Sequence, residues 1–155
     1  MSIEAALKET RIGELRPPEP ACVARGATLR EALSSMRERR AGCVLACEGD
    51  QLIGILTERD ILRRVAGEDV SLDSPVTGFM SGGPRTLTAD DLLGDVIRLM
   101  AEGGYRHIPI VDKAGRIEAI VSIQQIIQFL AELYPAEVLN LPPEPHQYMD
   151  SREGG

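Results

Sequence analysis

The sequence predicts an α+β fold made of two tandem β-α-β-β-α repeats packed on each other through their sheets, and three observations carry that prediction. The first is internal repetition. Displaced by 64 residues, Ile12 meets Val76, Leu15 meets Phe79, Pro20 meets Pro84 and Val23 meets Leu87. Leu29 then meets Leu93, Ala32 meets Val96, Leu33 meets Ile97 and Met36 meets Met100. A polar turn follows, EGDQ in the first copy and DKAGR in the second, which is one residue longer, and the displacement becomes 65. Leu52, Ile55, Leu56, Thr57 and Ile61 now meet Ile117, Ile120, Val121, Ser122 and Ile126. Apolar periodicity alone does not readily place a shared Pro, a shared Met and a shared turn in one register. The second observation is that 43% of the 155 residues are hydrophobic and 26% charged, enough for a packed core and incompatible with wholesale disorder. The third is that each copy switches between helical periodicity and short apolar runs of strand length.

The elements follow in order. Residues 1–15 form a lead-in, with Ile3, Leu7 and Ile12 at helical spacing. In the first unit, residues 16–70, a short strand around Cys22–Val23 precedes a helix opened by Thr28 and Glu31 as a capping box. Leu29, Ala32, Leu33 and Met36 share one face of that helix. CVLAC and LIGIL are strands joined by a Gly-containing turn, and TERDILRRV opens a further helix at Thr57. The second unit, residues 71–134, repeats the plan with a strand around Arg85–Leu87. Thr88 with Asp91 is its capping box, HIPIV and EAIV are its strands, and its last helix opens at Ser122. One copy of about 60 residues buries too little surface to stand comfortably alone, so the two pack together. Residues 135–155 read as a Pro-rich extended tail whose Val138, Leu139 and Leu141 suggest docking.

Composition narrows the function. A net charge of −7 with 3% aromatics and no Trp argues against nucleic acid and anionic membranes as partners. The start, MSIEAALKET, has no basic region followed by an apolar one, so no signal peptide is predicted. No apolar run approaches the ~20 residues that span a bilayer, and a cytoplasmic setting is expected. Three cysteines, Cys22, Cys43 and Cys47, form no CxxC pair, and two distant His make no metal cluster. Neither a nucleophile–His–Asp pattern nor GxxxxGK[ST] or HExxH occurs, so no catalytic residue and no metal site are predicted.

Two segments carry the most specific pattern, GILTERDIL at 54–62 and GYRHIPIVDKAGRIEAIVSIQQII at 104–127. In each, an apolar strand runs into a hydroxyl residue that opens a helix, with Asp60 or Gln125 three positions on. This tandem arrangement, over roughly residues 10–132, resembles the cystathionine-β-synthase (CBS) domain pair, or Bateman module. The resemblance implies a regulatory binding unit, not an enzyme and without a resident cofactor. It implies an adenosine-containing ligand (AMP-, ADP- or ATP-like) in the cleft between the repeats, a conformational change passed to an effector protein, and association of two pairs as a homodimer.

At the first copy, Thr57 offers a hydroxyl and exposed backbone amides at a helix start, suited to a phosphate. Asp60 offers a carboxylate for ribose hydroxyls, and Arg59 a charge-assisted donor. The resemblance adds Ile55 on one side of the purine, with Pro84 and Arg85 on the other. The same spacing is also a plain helix cap, in which Thr57 and Asp60 only satisfy backbone donors. At the second copy Ser122 and Gln125 complete a capping box, but a neutral amide is a poorer ribose partner than a carboxylate. By the resemblance, Arg106 and His107 point basic groups toward phosphate, or else they are a solvated pair before a strand; Gly42 and Cys43 hold these places in the first copy. The run Arg37 to Arg40 reads equally as a solvated helix end and as a ligand funnel. The alternative to a sensor is an interaction scaffold with degenerate sites and no nucleotide.

Overall fold

Thr28 stands in extended backbone and takes the Glu31 amide on its hydroxyl at 3.2 Å, while the Glu31 carboxylate reaches back to the Thr28 amide. That capping box starts the helix of the first repeat where the sequence places it. The structure, a computed structural model, describes residues 2–133; the tail expected at 135–155 lies outside the described residues.

The chain runs through α1 (Ile3–Glu9), β1 (Cys22–Ala24), α2 (Leu29–Arg39), β2 (Cys43–Glu48), β3 (Gln51–Thr57) and α3 (Glu58–Arg64). It continues through β4 (Ser81–Gly82), α4 (Leu93–Gly103), β5 (His107–Val111), β6 (Ile117–Ser122) and α5 (Ile123–Leu133). Short 3-10 turns at Ile12–Leu15 and Val76–Gly78 precede the two units. One sheet has the order β1-β2-β3-β4, with β1 parallel to β2 and the other pairs antiparallel; β5 and β6 form an antiparallel pair. The mixed α+β architecture of two units is therefore as predicted. No helix among the described residues is long and apolar enough to cross a membrane.

Three local expectations shift. The lead-in is not one helix: it breaks at Thr10 into α1 and the 3-10 turn, because residues 10–13 leave the helix to pair with the start of α4. The capping box of α4 lies one turn later than Thr88 and Asp91. Leu92 is the N-cap, and its amide donates to the Asp95 carboxylate at 2.9 Å. The 64-residue register puts Leu92 opposite Thr28, and a leucine has no oxygen to offer, so only half of the box remains. Thr88 and Asp91 close a turn of their own, with the Asp91 carboxylate accepting the Thr88 amide at 2.7 Å. Finally, the strand expected around Arg85–Leu87 contributes a single parallel bridge, Leu87 to Ile110, and the paired residues lie upstream in β4.

The segment before each unit is built into the other unit. The Leu93 amide donates to the Thr10 carbonyl at 2.9 Å, and the Leu29 amide to the Ser74 carbonyl at 2.9 Å. Ile12 donates to Asp91 at 2.8 Å, and Val76 to Ala27 at 2.9 Å. Each pair is the other displaced by 64 residues. These bonds satisfy orphan amides at the helix starts that side chains leave unmet. Side chains follow the backbone: Ile12 sits in the core of the second unit with Leu93, Val96, Ile108 and Val121. Val76 sits in the core of the first with Leu29, Ala32 and Leu56. The same exchange reaches the sheets, where β4 pairs with β3 and the Pro18 carbonyl accepts the Ile120 amide at 3.0 Å. Gly54 permits the first of these, since a β-carbon there would stand 3.2 Å from the Ser81 carbonyl oxygen.

A third apolar cluster joins the units through their sheets, with Cys43, Leu45 and Ile55 of the first against Ile120 of the second. Ile55 and Ile120 are repeat counterparts meeting across the junction, and burying each is worth roughly 1.5–3 kcal/mol. Reciprocal segments and a shared apolar seam together lock the pair and fix what can line the space between them.

Candidate functional site

β3 and β6 each run directly into a helix, so Thr57 and Ser122 are both the last strand residue and the first cap. The Asp60 amide donates to the Thr57 hydroxyl at 3.3 Å. The Asp60 Oδ2 accepts the Thr57 amide at 2.9 Å and its hydroxyl at 3.0 Å, and Oδ1 faces the Ser81 hydroxyl at 3.5 Å. Asp60 is 8% exposed, so both oxygens of a buried carboxylate are engaged within the fold. Gln125 repeats the cap more weakly: its Oε1 accepts the Ser122 amide at 3.2 Å, and its own amide donates to the Ser122 hydroxyl at 3.3 Å.

The first-copy candidates do not converge as a group. Ile55 is buried in the seam between the sheets, and Thr57 and Asp60 are bonded to one another. Arg59 is exposed on α3, with its guanidinium beside the turn at Gly104, where a β-carbon would lie 3.7 Å from Nη1. Pro84 is half-buried and Arg85 exposed beyond β4, and neither makes a side-chain hydrogen bond among the described residues. Met80, just before β4, gives its carbonyl to the Arg64 guanidinium at 2.9 Å.

The second-copy candidates do converge. Arg106, His107, Ser122 and Gln125 all line a cleft of about 800 Å³. Its other walls are the end of α2 with Arg37, Arg39 and Arg40, the start of β2, the first turns of α3 and α5, and residues 18–21. None of Ile55, Thr57, Arg59, Asp60, Pro84 and Arg85 lines it. Sequence reading missed Pro18, Ala21 and Ile120, although the repeat held the signal. Ile120 is the counterpart of Ile55, and Pro20–Ala21 is the counterpart of Pro84–Arg85. Of the two readings left open for the run Arg37 to Arg40, the structure puts all three of its arginines, Arg37, Arg39 and Arg40, on the cleft wall.

The cleft is electropositive. Arg37, Arg39, Arg40 and Arg106 line it, and among the described residues none of them forms a salt bridge. Arg11, Arg25, Arg30, Arg98 and Arg116, in contrast, are each paired with a carboxylate. Glu19 and Glu58 are the acidic side chains on the wall. Burial lowers the His107 pKa from its ordinary value, the Glu58 carboxylate pulls it up, and Arg106 lowers it further. The imidazole is therefore neutral near pH 7. Gly42 makes room for it: a β-carbon there would stand 2.7 Å from Glu58 Oε1 and 2.8 Å from His107 Nε2. Guanidinium forks bind phosphate oxygens bidentately, and Ile61, Ile120 and Met36 supply apolar surface. The arrangement suits a ligand with an anionic end and a flat apolar end.

A family model for the CBS domain matches residues 12–67 and again residues 76–132. An uncharacterised 17.7 kDa protein of Acidianus ambivalens is 29% identical over 126 residues, which is 81% of this chain and 76% of that protein. A CBS domain-containing protein of Arabidopsis thaliana is 33% identical over 118 residues, and this chain spans only 20% of its length. Among solved structures, a CBS domain protein from Pyrobaculum aerophilum complexed with AMP matches with a TM-score of 0.69 at 27% identity. That match covers 79% of this chain and 98% of the other.

Proposed function

The chain belongs to the CBS domain family, and on that footing we propose that it is a regulatory module that senses an adenine nucleotide in the cleft between its two units and passes the change to an effector protein. The observation that carries this reading is the convergence of four guanidinium groups, free of salt bridges among the described residues, on a cleft of about 800 Å³ with apolar surface beside them. The AMP complex of the Pyrobaculum relative supports it. Phosphates lie against Arg106 and the arginines at the end of α2, the base lies against Ile120 and Ala21, and the sugar lies near Ser122 and Gln125. Asp60, bound to Thr57 and Ser81, acts as a cap, and the first-copy group is the structural counterpart of the ligand site.

Signalling follows from where the walls come from. Arg37 to Cys43 belong to the first unit, and Arg106 to Gln128 to the second. A ligand touching both favours one relative arrangement and shifts the population toward it. Leu62 on α3 and Ile127 on α5 are repeat counterparts, 72% and 60% exposed. An apolar residue at the same place on the last helix of each unit fits a homodimer through these helices in the cytoplasm.

Calorimetric titration with AMP, ADP, ATP, NAD and S-adenosylmethionine tests the reading, repeated with Arg106→Ala. At least one adenosine compound binds the wild type, and the variant binds it at least tenfold more weakly, as expected for a lost charge-assisted contact. No binding of any of them at millimolar concentration overturns it.

A further inference from the structure

Arg40 ends α2 with φ 50° and ψ 43°, in the left-handed region where a β-carbon crowds the following carbonyl. The turn itself needs that conformation. The Arg40 amide donates to the Arg37 carbonyl at 3.3 Å, and the Ala41 amide to the Met36 carbonyl at 2.9 Å, a helix stop that glycine makes most readily. The second unit uses glycine there: its counterpart 64 residues on is Gly104, with φ 70°. The guanidinium is therefore not required for the turn. Among the described residues the Arg40 side chain has no hydrogen bond and no salt bridge, and what it faces is the cleft. Arg40 is exposed and Arg16 shares its left-handed backbone, with φ 49°, so what singles out the Arg40 guanidinium is its place on the cleft wall beside Arg37, Arg39 and Arg106, and that placement points to an anionic ligand.

The charge on that wall says which kind. Arg37, Arg39 and Arg40 stand at the end of α2 and Arg106 just before β5, and Glu19 and Glu58 are the opposing charge on the same wall. One terminal phosphate carries about −1.5 to −2 and satisfies one or two guanidinium forks. A chain of phosphates reaches more of them. Building on the nucleotide reading of the same cleft, we infer that its ligand carries two or more phosphates and that Arg40 is the residue that distinguishes such a chain from a monophosphate.

Two variants separate the side chain from the strain. Arg40→Gly removes both, and Arg40→Ala removes the guanidinium while keeping a β-carbon in the left-handed region. The probes are ATP and AMP, with inorganic tripolyphosphate and orthophosphate beside them. The wild type prefers ATP to AMP and tripolyphosphate to orthophosphate, and both variants lose about tenfold of that preference. Without ligand, Arg40→Gly melts about 2–4 °C above Arg40→Ala. Equal binding of tripolyphosphate and orthophosphate by the wild type overturns the inference, as does an unchanged ATP-to-AMP ratio in both variants. A wild type that takes tripolyphosphate through Arg40 but no adenosine compound keeps this inference and removes the nucleotide reading.

Discussion

Thr57 and Asp60 close a ring of three hydrogen bonds at the start of α3, the carboxylate holding both the amide and the hydroxyl of the threonine at 2.9 and 3.0 Å. Ser122 and Gln125 close the same ring with two. The carboxylate is 8% exposed, so truncation strands the Thr57 amide in a place water reaches poorly. Asp60→Ala is expected to cost about 1–2 kcal/mol, and Gln125→Ala less, because its amide is neutral and more exposed. Urea unfolding checks this as a lower midpoint at unchanged m-value. Nucleotide titration of folded Asp60→Ala is expected to match the wild type. Lost binding at unchanged stability would place the ligand at the first repeat instead.

Gly42 is a second point where geometry makes a prediction. Its backbone is not in the left-handed region, and its counterpart in the other repeat is Arg106, so the glycine serves space rather than conformation. Gly42→Ala drives a methyl into the gap filled by Glu58 and His107, at 2.7 and 2.8 Å. The ends of those side chains must move, at about 1–3 kcal/mol for an overpacked site. Thermal melting shows the loss. Calorimetry shows weaker nucleotide binding, because the cleft wall has shifted; a variant with wild-type melting and affinity would show that the gap is slack.

Much of this was legible because repetition is a local signal read twice. The displacement of 64, then 65, residues paired Leu29 with Leu93 and Ile55 with Ile120, and these are the residues that fill the cores and the seam. The capping error at Thr88 shows the limit of composition: Thr and Asp three apart satisfy any turn, whereas the true cap is Leu92, which has no signature at all. The exchange of Ile12 and Val76 between the cores was not legible either. The displacement of 64 aligns both positions, but the pairing partners Leu29 and Ser74, Ala27 and Val76, Ile12 and Asp91, and Thr10 and Leu93 lie too far apart in the chain to leave a periodicity. Arg106, His107, Ser122 and Gln125, the second copy's candidates, were legible and line the cleft, but that Arg37, Arg39 and Arg40 face them was not, for the same reason. Asp60 has the more ligand-like residue type, yet the open volume lies where Arg37 to Arg40 of one unit meet Arg106 of the other, and only tertiary placement decides that.

The three thiols separate by burial. Burial pushes the Cys43 thiol up to about 12, with Cys22 and Glu58 adding to the effect. Cys47 is likewise pushed up to about 12 by burial, helped by its hydrogen bond with Cys22. Thiolate is the reactive form, so neither reacts at pH 8 in the folded protein. Cys22 is exposed. Ellman's reagent is expected to modify one thiol promptly in the native state and three in guanidinium chloride. Rapid modification of all three without denaturant would mean that the seam between the sheets opens freely.

His107 sets the pH dependence, and its sign follows from the groups around it. Burial holds its folded pKa below 6.5, Arg106 on the same strand end pushes it the same way, and Glu58 from the other unit opposes them. The native state thus binds fewer protons than the unfolded one, and stability rises with pH. The contribution is complete above about 6.5 and is lost as the pH falls from there through the folded value. A bound anion reverses the local preference, because it stabilises the imidazolium, raises the pKa of His107 and draws a proton in on binding. Nucleotide affinity therefore increases as the pH falls through that window, against the trend in stability. Calorimetry in buffers of different ionisation enthalpy checks the proton uptake, and His107→Gln is expected to flatten both profiles. Proton release on binding, or an affinity that falls together with stability, would place the phosphates away from His107.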